Sequence, residues 1–89
     1  ELVVATIFPA HRPGHAFYED MKQTNAALRA MQLERDPKIH LLDLWPEMIE
    51  ADCTLRRGLF QADNIHLTQD GGYAFFAAQL QPLFARLLR

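Results

Sequence analysis

The stretch LVVATIF, residues 2–8, is rich in β-branched residues, apolar at nearly every position and closed by Pro9. A run with so little polar alternation suits a parallel strand buried on both faces. A second run, KIHLLDLW at residues 38–45, also reads as a strand, and His40 and Asp43 break its apolar character as they would near a sheet edge. Between the two, Phe17, Met21, Thr24, Leu28 and Met31 fall on one stripe of a 3.6-residue period, which predicts a helix over 17–33 with that stripe buried. Glu19 and Asp20 lie in its first turns, where the helix dipole favours acids, and Asp36-Pro37 ends it, because the residue before proline is pushed out of the helical region. Strand, helix and strand together predict a βαβ unit with parallel strands and a right-handed crossover.

After the second strand comes a long connection, residues 46–65. Pro46-Glu47 is a start for a short helix, and Leu55, Leu59 and Phe60 are the residues expected to pin the segment to the core. Connections of this length inside one domain are usually functional. Thr68 is the expected N-cap of a last helix running towards Arg89, with Tyr73, Phe76, Ala77, Leu80, Phe84 and Leu87 as its buried stripe and Pro82 as a kink or break. Arg86 and Arg89 suit the C-terminal end of that helix. The order β-α-β-loop-α is half of a doubly wound α/β domain. A first strand apolar on both faces needs a neighbour on each edge, and the chain offers one.

Composition narrows the function classes. At 89 residues, 49% hydrophobic and 22% charged, the chain reads as at most one globular domain. A net charge of −2 and a pI near 6.1 give no reason to expect nucleic acid or an anionic membrane as partner. No apolar run approaches the ~20 residues of a membrane span. Cys53 is the only cysteine, so there is no disulfide framework and no paired-cysteine metal or redox pattern. Serine is wholly absent, and the chain opens on a strand-like run without an initiator Met. Both features predict that part of the domain lies upstream.

The chemistry concentrates in QADNIHLTQDGGY, residues 61–73. Asp63 precedes His66 by three residues, a spacing that the chain spans at roughly 10 Å when extended, so the two side chains meet only if the backbone turns between them. In such a turn the carboxylate would accept from Nδ1–H, fix the tautomer and leave Nε2 free to take a proton from a hydroxyl. Thr68 would fasten the following helix start and so support the loop. The spacing alone is weak, since a chain with six aspartates and four histidines shows Asp-x-x-His by chance about one time in four. The plainer alternative is that Asp63 caps a turn and His66 is a surface residue.

The block Asp63, His66, Leu67, Thr68, Gly72 and Tyr73 resembles the final conserved block of the SGNH (GDSL-type) hydrolases, Asp-x-x-His-Leu-(Thr/Ser/Asn)-x-x-Gly-Tyr. VVATIFP, LRAMQLERDPKIHLLDLW and ADCTLRRGLF are similar, more loosely, to the elements that precede that block in the family. The resemblance implies that residues 1–89 are the C-terminal half of one domain, the C-terminal part of a flavodoxin-like three-layer α/β/α sandwich with a parallel sheet. It implies a serine hydrolase of small-molecule esters or thioesters, or an acyltransferase, with Asp63 as triad acid and His66 as general base. The nucleophilic serine and the oxyanion-hole residues would belong to the absent N-terminal half, so this chain alone is expected to be inactive. Cys53 departs from the small turn residue, such as glycine, expected at its position.

Other candidates are weaker. Cys53 is the least implausible substitute nucleophile within the chain. His11 and His15 have a zinc-like spacing, but Pro13 and Gly14 between them forbid one helical face and no third ligand is evident, so solvated loop histidines are the better reading and no metal or cofactor is expected. Their loop follows the C-terminal end of a strand, where α/β sheets bind ligands, which makes His11 and Arg12 possible substrate-loop residues. Ile65, with Trp45 and Phe60, is a possible acyl-pocket residue, although packing explains each as well. Arg56-Arg57 reads as a solvated pair. Two rival functions remain: a truncated, non-catalytic module that binds a partner chain through its open strand edge, and metal-assisted hydrolysis by the histidines.

Overall fold

Backbone hydrogen bonds pair the two apolar runs side by side. In the computed structural model, which describes residues 1–88, β1 (Leu2–Ala5) and β2 (Ile39–Leu42) form a two-stranded parallel sheet, with Leu2 opposite Ile39 and Ala5 opposite Leu42. The crossover is α1 (Tyr18–Ala30), followed by a single 3-10 turn at Leu33–Arg35. The chain is thus a mixed α/β unit, with a second helix, α2 (Ala74–Leu87), at its C-terminal end. Arg89, placed by the sequence in the last turn of that helix, lies outside the described residues.

β1 is shorter than its apolar run for an identifiable reason. The Thr6 N–H still donates to the Leu42 carbonyl, but at Ile7 a side chain takes the place of a strand. Asn25 from α1 accepts from the Ile7 N–H at 2.7 Å and donates to the Ile7 carbonyl at 2.8 Å, while itself only 1% exposed. A neutral amide that satisfies both backbone groups of one residue ends the ladder and fixes α1 against it. Asn25→Leu should strand a donor and an acceptor and cost about 2–3 kcal/mol. Asn25→Asp should cost at least as much, because a buried carboxylate would face the Ile7 carbonyl oxygen without a counter-ion. Urea midpoints of the three proteins measure this, and an unchanged midpoint for the leucine variant would dismiss the clamp.

The same clamp corrects the expected face of α1. Phe17 and Met31, ends of the apolar stripe, are each 62% exposed, and the helix buries Tyr18 and Asn25 instead. Its packing face is Tyr18, Met21, Asn25 and Leu28, at i, i+3, i+7 and i+10, so the middle of the apolar stripe is half-buried while its ends and Thr24 are exposed. Tyr18 packs on Trp45 with ring centroids 5.7 Å apart, and the Arg29 guanidinium pairs with Asp43 at 2.6 Å. The two polar anchors and the aromatic contact set the rotation of the helix, which keeps Met21 and Leu28 of the stripe half-buried and leaves Phe17 and Met31 without cover.

The long connection is not featureless. Trp45–Met48 forms the short helix expected at Pro46, in 3-10 form, and two antiparallel bridges follow, Ile49 with Leu55 and Phe60 with Leu67. Each bridge closes a small loop. The core lies where these loops meet the sheet's C-terminal end: Leu44, Met48, Leu59 and Leu67 are buried, with Phe8, Leu42, Phe60, Phe75 and Phe76 packed around them. Phe8 meets Phe76 edge to face at 5.1 Å. Trp45, considered above as a pocket residue, is buried packing. At Cys53 the backbone is left-handed, with φ +69°, so glycine would be at ease there and cysteine carries the cost of a side chain in that region.

Two further expectations change. α2 passes through Pro82 without dividing, and it buries no residue fully: Tyr73 is 55% and Phe84 45% exposed. Likewise β1 is not buried on both faces, since Leu2 is 55% exposed and the strand has β2 alone as ladder partner among the described residues. The cause is common to both. The apolar patterns are present, but these residues supply nothing to cover them in a slab 19 Å through its thinnest direction.

Candidate active site

Asp63 and His66 occupy the tip of the loop closed by the Phe60–Leu67 bridge. The loop's stem is held by the Gln61 N–H to the His66 carbonyl at 2.8 Å and by the Gln61 side-chain amide to the Leu67 carbonyl at 3.1 Å. Within it the Asn64 N–H returns to the Gln61 carbonyl, and Asn64 adopts a left-handed conformation, φ +60°, that asparagine tolerates better than most residues. Asp63 then accepts through Oδ1 from the N–H groups of Ile65 and His66, at 3.0 and 3.1 Å. This turn brings Oδ2 to 2.5 Å from His66 Nδ1. The required reversal of the chain is present, and no hydrogen-bond partner occupies Nε2 among the described residues.

Three donors aimed at one carboxylate have an electrostatic consequence. The contact to the His66 ring first, then the N–H groups of Ile65 and His66, lower the Asp63 pKa from its ordinary range to about 2. Because the folded value is depressed, ionised Asp63 favours the folded turn at any pH above the ordinary carboxylate range, and that contribution is lost as pH falls through about 2. A 13C titration of the Asp63 carboxyl should therefore show a midpoint near 2. A midpoint close to 4 would mean that the contact is not populated. Both side chains are open to water, His66 at 67% and Asp63 at 42%. A triad acid works best when water is excluded, so the pair has its orientation but not its cover.

The support behind the loop comes from Thr68. Its hydroxyl donates to the Gly58 carbonyl at 2.7 Å and accepts from the Gly72 N–H at 2.9 Å. Capping four residues ahead, rather than two or three, makes the first turn π-helical, Gln69–Tyr73, before α2 begins. Thr68 N–H also donates to the Leu59 carbonyl at 2.9 Å, so the turn and the loop stem share one anchor.

The proposed substrate loop is joined to this site in part. His11, itself left-handed at φ +63°, donates its N–H to the Asn64 carbonyl at 2.9 Å, which ties the residue 9–15 loop to the Asp63–His66 turn. The His11 ring stacks flat on His15 at 3.8 Å, an arrangement of packing rather than of two ligands converging on one ion. Arg12 lies in an open cleft of about 910 Å³ whose wall includes Asn64, whereas Ile65 points to solvent, 50% exposed, and is not part of that lining. Sequence reasoning missed Gln61 and Asn64 as the residues that shape the turn. An asparagine between two candidate site residues was the available signal for a left-handed position. No known family model and no curated protein matches this sequence.

Proposed function

We propose that this chain supplies the acid and the general base of a serine ester hydrolase of the SGNH type, and that the nucleophile comes from a polypeptide segment outside these 89 residues. The observation that carries the reading is the 2.5 Å contact of Asp63 Oδ2 with His66 Nδ1 in a turn that leaves Nε2 free. In the reaction, Nε2 takes the proton of the serine hydroxyl as its oxygen attacks the acyl carbonyl of an ester or thioester. The protonated ring then gives that proton to the departing alcohol or thiol. Water, deprotonated in the same way, releases the acyl group, or an acceptor alcohol takes it in a transferase. Asp63 holds the ring and stabilises its charge throughout.

The finer architecture belongs to the same proposal. An added parallel strand on the free edge of β1, with helices over the exposed residues of α1 and α2, would give a flavodoxin-like α/β/α sandwich of which this chain is the C-terminal part. Exposed Leu2, Phe17, Tyr73 and Phe84 support it, as does the water-open Asp63–His66 pair. The rival reading, a non-catalytic module that binds a partner chain by the same edge, is favoured by the complete lack of serine.

One experiment separates the two. The longest native polypeptide containing this sequence is treated with a fluorophosphonate and mapped by mass spectrometry. Labelling at a serine, abolished by prior heat denaturation, supports the hydrolase. A native polypeptide that binds no fluorophosphonate and turns over no activated ester leaves the binding module as the function.

A further inference from the structure

We infer that the cleft beside the Asp63–His66 turn is a subsite for an oxyanion carried by the substrate, held by the guanidinium groups of Arg12 and Arg57. As a substrate assignment it rests on the ester-hydrolase reading. As a binding site it can be tested without it.

The cleft, about 910 Å³ and open to solvent, is lined by Arg12, Glu50, Asp52, Thr54, Arg57 and Asn64, with two aliphatic side chains between them. Its formal charges balance, so a net field does not select the ligand. Unspent hydrogen-bonding capacity does. Asp52 Oδ1 already accepts from both the N–H and the hydroxyl of Thr54, at 3.1 and 2.5 Å, and Glu50 Oε1 accepts from the Arg57 N–H at 3.0 Å. Each carboxylate thus serves the donors of its own loop. The ion pairs among the described residues are Arg29–Asp43, His40–Glu1 and His66–Asp63, and neither the Arg12 nor the Arg57 guanidinium is in one. Arg12 acts on Asp52 through its charge alone. Neither guanidinium spends its five N–H donors on a hydrogen bond among the described residues, so two planar forks at the cleft wall are left for a carboxylate or phosphate.

The location gives the subsite its meaning. Asn64 is both a wall of the cleft and the middle of the catalytic turn, and its carbonyl holds the His11 N–H next to Arg12. An extended ester with its carbonyl near His66 Nε2 can run along this wall towards the residue 50–57 loop. Its far end then meets the two arginines. Arg56-Arg57, solvated by sequence, thus divides: the Arg56 guanidinium donates to the Glu47 carbonyl at 3.2 Å, and Arg57 is part of the cleft wall.

The test is a 1H–15N NMR titration of the 89-residue chain with monomethyl succinate, inorganic phosphate and neutral dimethyl succinate. Monomethyl succinate or phosphate should shift the amides of Arg12, Thr54, Arg57 and Asn64 saturably, about tenfold more tightly than the neutral diester. Whichever of the two binds more tightly identifies the oxyanion. The R12A/R57A variant should lose that preference, and R12K/R57K, which keeps the charge without the fork, should retain part of it. Equal affinity for the neutral diester, or an unchanged preference in R12A/R57A, overturns the proposal. Unchanged amides elsewhere confirm that the variants are folded. In the serine-bearing native polypeptide, the ratio of kcat/KM for monomethyl to dimethyl succinate should fall about tenfold in R12A/R57A. If neither ester is hydrolysed, the hydrolase reading fails while the titration still decides the subsite.

Discussion

On the proposed hydrolase reading, His66→Ala in the longest native polypeptide containing this sequence is expected to lower kcat for an activated ester by roughly 10⁴- to 10⁶-fold. The size follows from the role: without Nε2 nothing takes the serine proton during attack, and a neutral hydroxyl is a poor nucleophile. Stability should barely move, because the His66 side chain is 67% exposed and its loss removes a ring from solvent rather than from a core. Asp63→Asn separates orientation from folding more finely. An amide oxygen can still accept from the N–H groups of Ile65 and His66, so the turn should persist. Nδ1–H then loses its charged partner, and the ring can bind the amide in the wrong tautomer, for a loss of roughly 10³- to 10⁴-fold. Steady-state kinetics beside urea midpoints read both effects. A His66→Ala protein that retained a tenth of its activity would show that another group is the base. A parallel collapse of activity and stability would show that the pair holds the fold instead.

How far the sequence announced this arrangement depends on the kind of force involved. β1, β2 and α1 were legible because apolar runs and periods are local signals, but the end of α1 was not: it stops at Ala30, where a left-handed Gln32, and not Pro37, turns the chain into the 3-10 turn. The packing face of α1 was legible only in part: Met21 and Leu28 are half-buried as their period requires, but the contacts of Asn25 with Ile7 and Arg29 with Asp43 join residues far apart in the chain whose polar character gives no periodic signature. The approach of Asp63 to His66 was legible as a requirement, since only a turn could bring them together. The means of turning, a left-handed Asn64 and the Gln61 stem, depended on backbone geometry that spacing does not encode. Thr68 was legible as a cap, but its reach to Gly72 and the resulting π turn were not. That geometry depends on the Leu59 and Gly58 carbonyls packed against it, supplied by the connection that looked least structured.

Gly72→Ala is expected to destabilise the chain by about 3 kcal/mol or more, a large share of what a domain this small possesses. The cost is steric and not conformational, since Gly72 has no positive φ and alanine in an ordinary helix would gain about 1 kcal/mol. An added Cβ would overlap the Leu59 carbonyl oxygen and come within 2.7 Å of the Leu67 Cβ. Neither can give way cheaply. The Leu59 carbonyl accepts the Thr68 N–H at 2.9 Å, and Leu59 and Leu67 are both buried in the core. Relief would have to come from moving the π turn away from the loop stem, which breaks the Thr68 hydroxyl's bond to the Gly72 N–H and frees the loop that carries Asp63 and His66. Gly14→Ala is the contrasting control: its φ of +94° strains alanine, but a Cβ there meets nothing within 4 Å, so about 1 kcal/mol is the expected loss. Urea midpoints of the two variants should differ accordingly, and the Asp63 carboxyl in Gly72→Ala should titrate closer to its ordinary range as the turn loosens. If Gly72→Ala instead proved as stable as the parent, the π turn would not be seated on the Leu59 carbonyl, and the support assigned to Thr68 would have to be sought elsewhere.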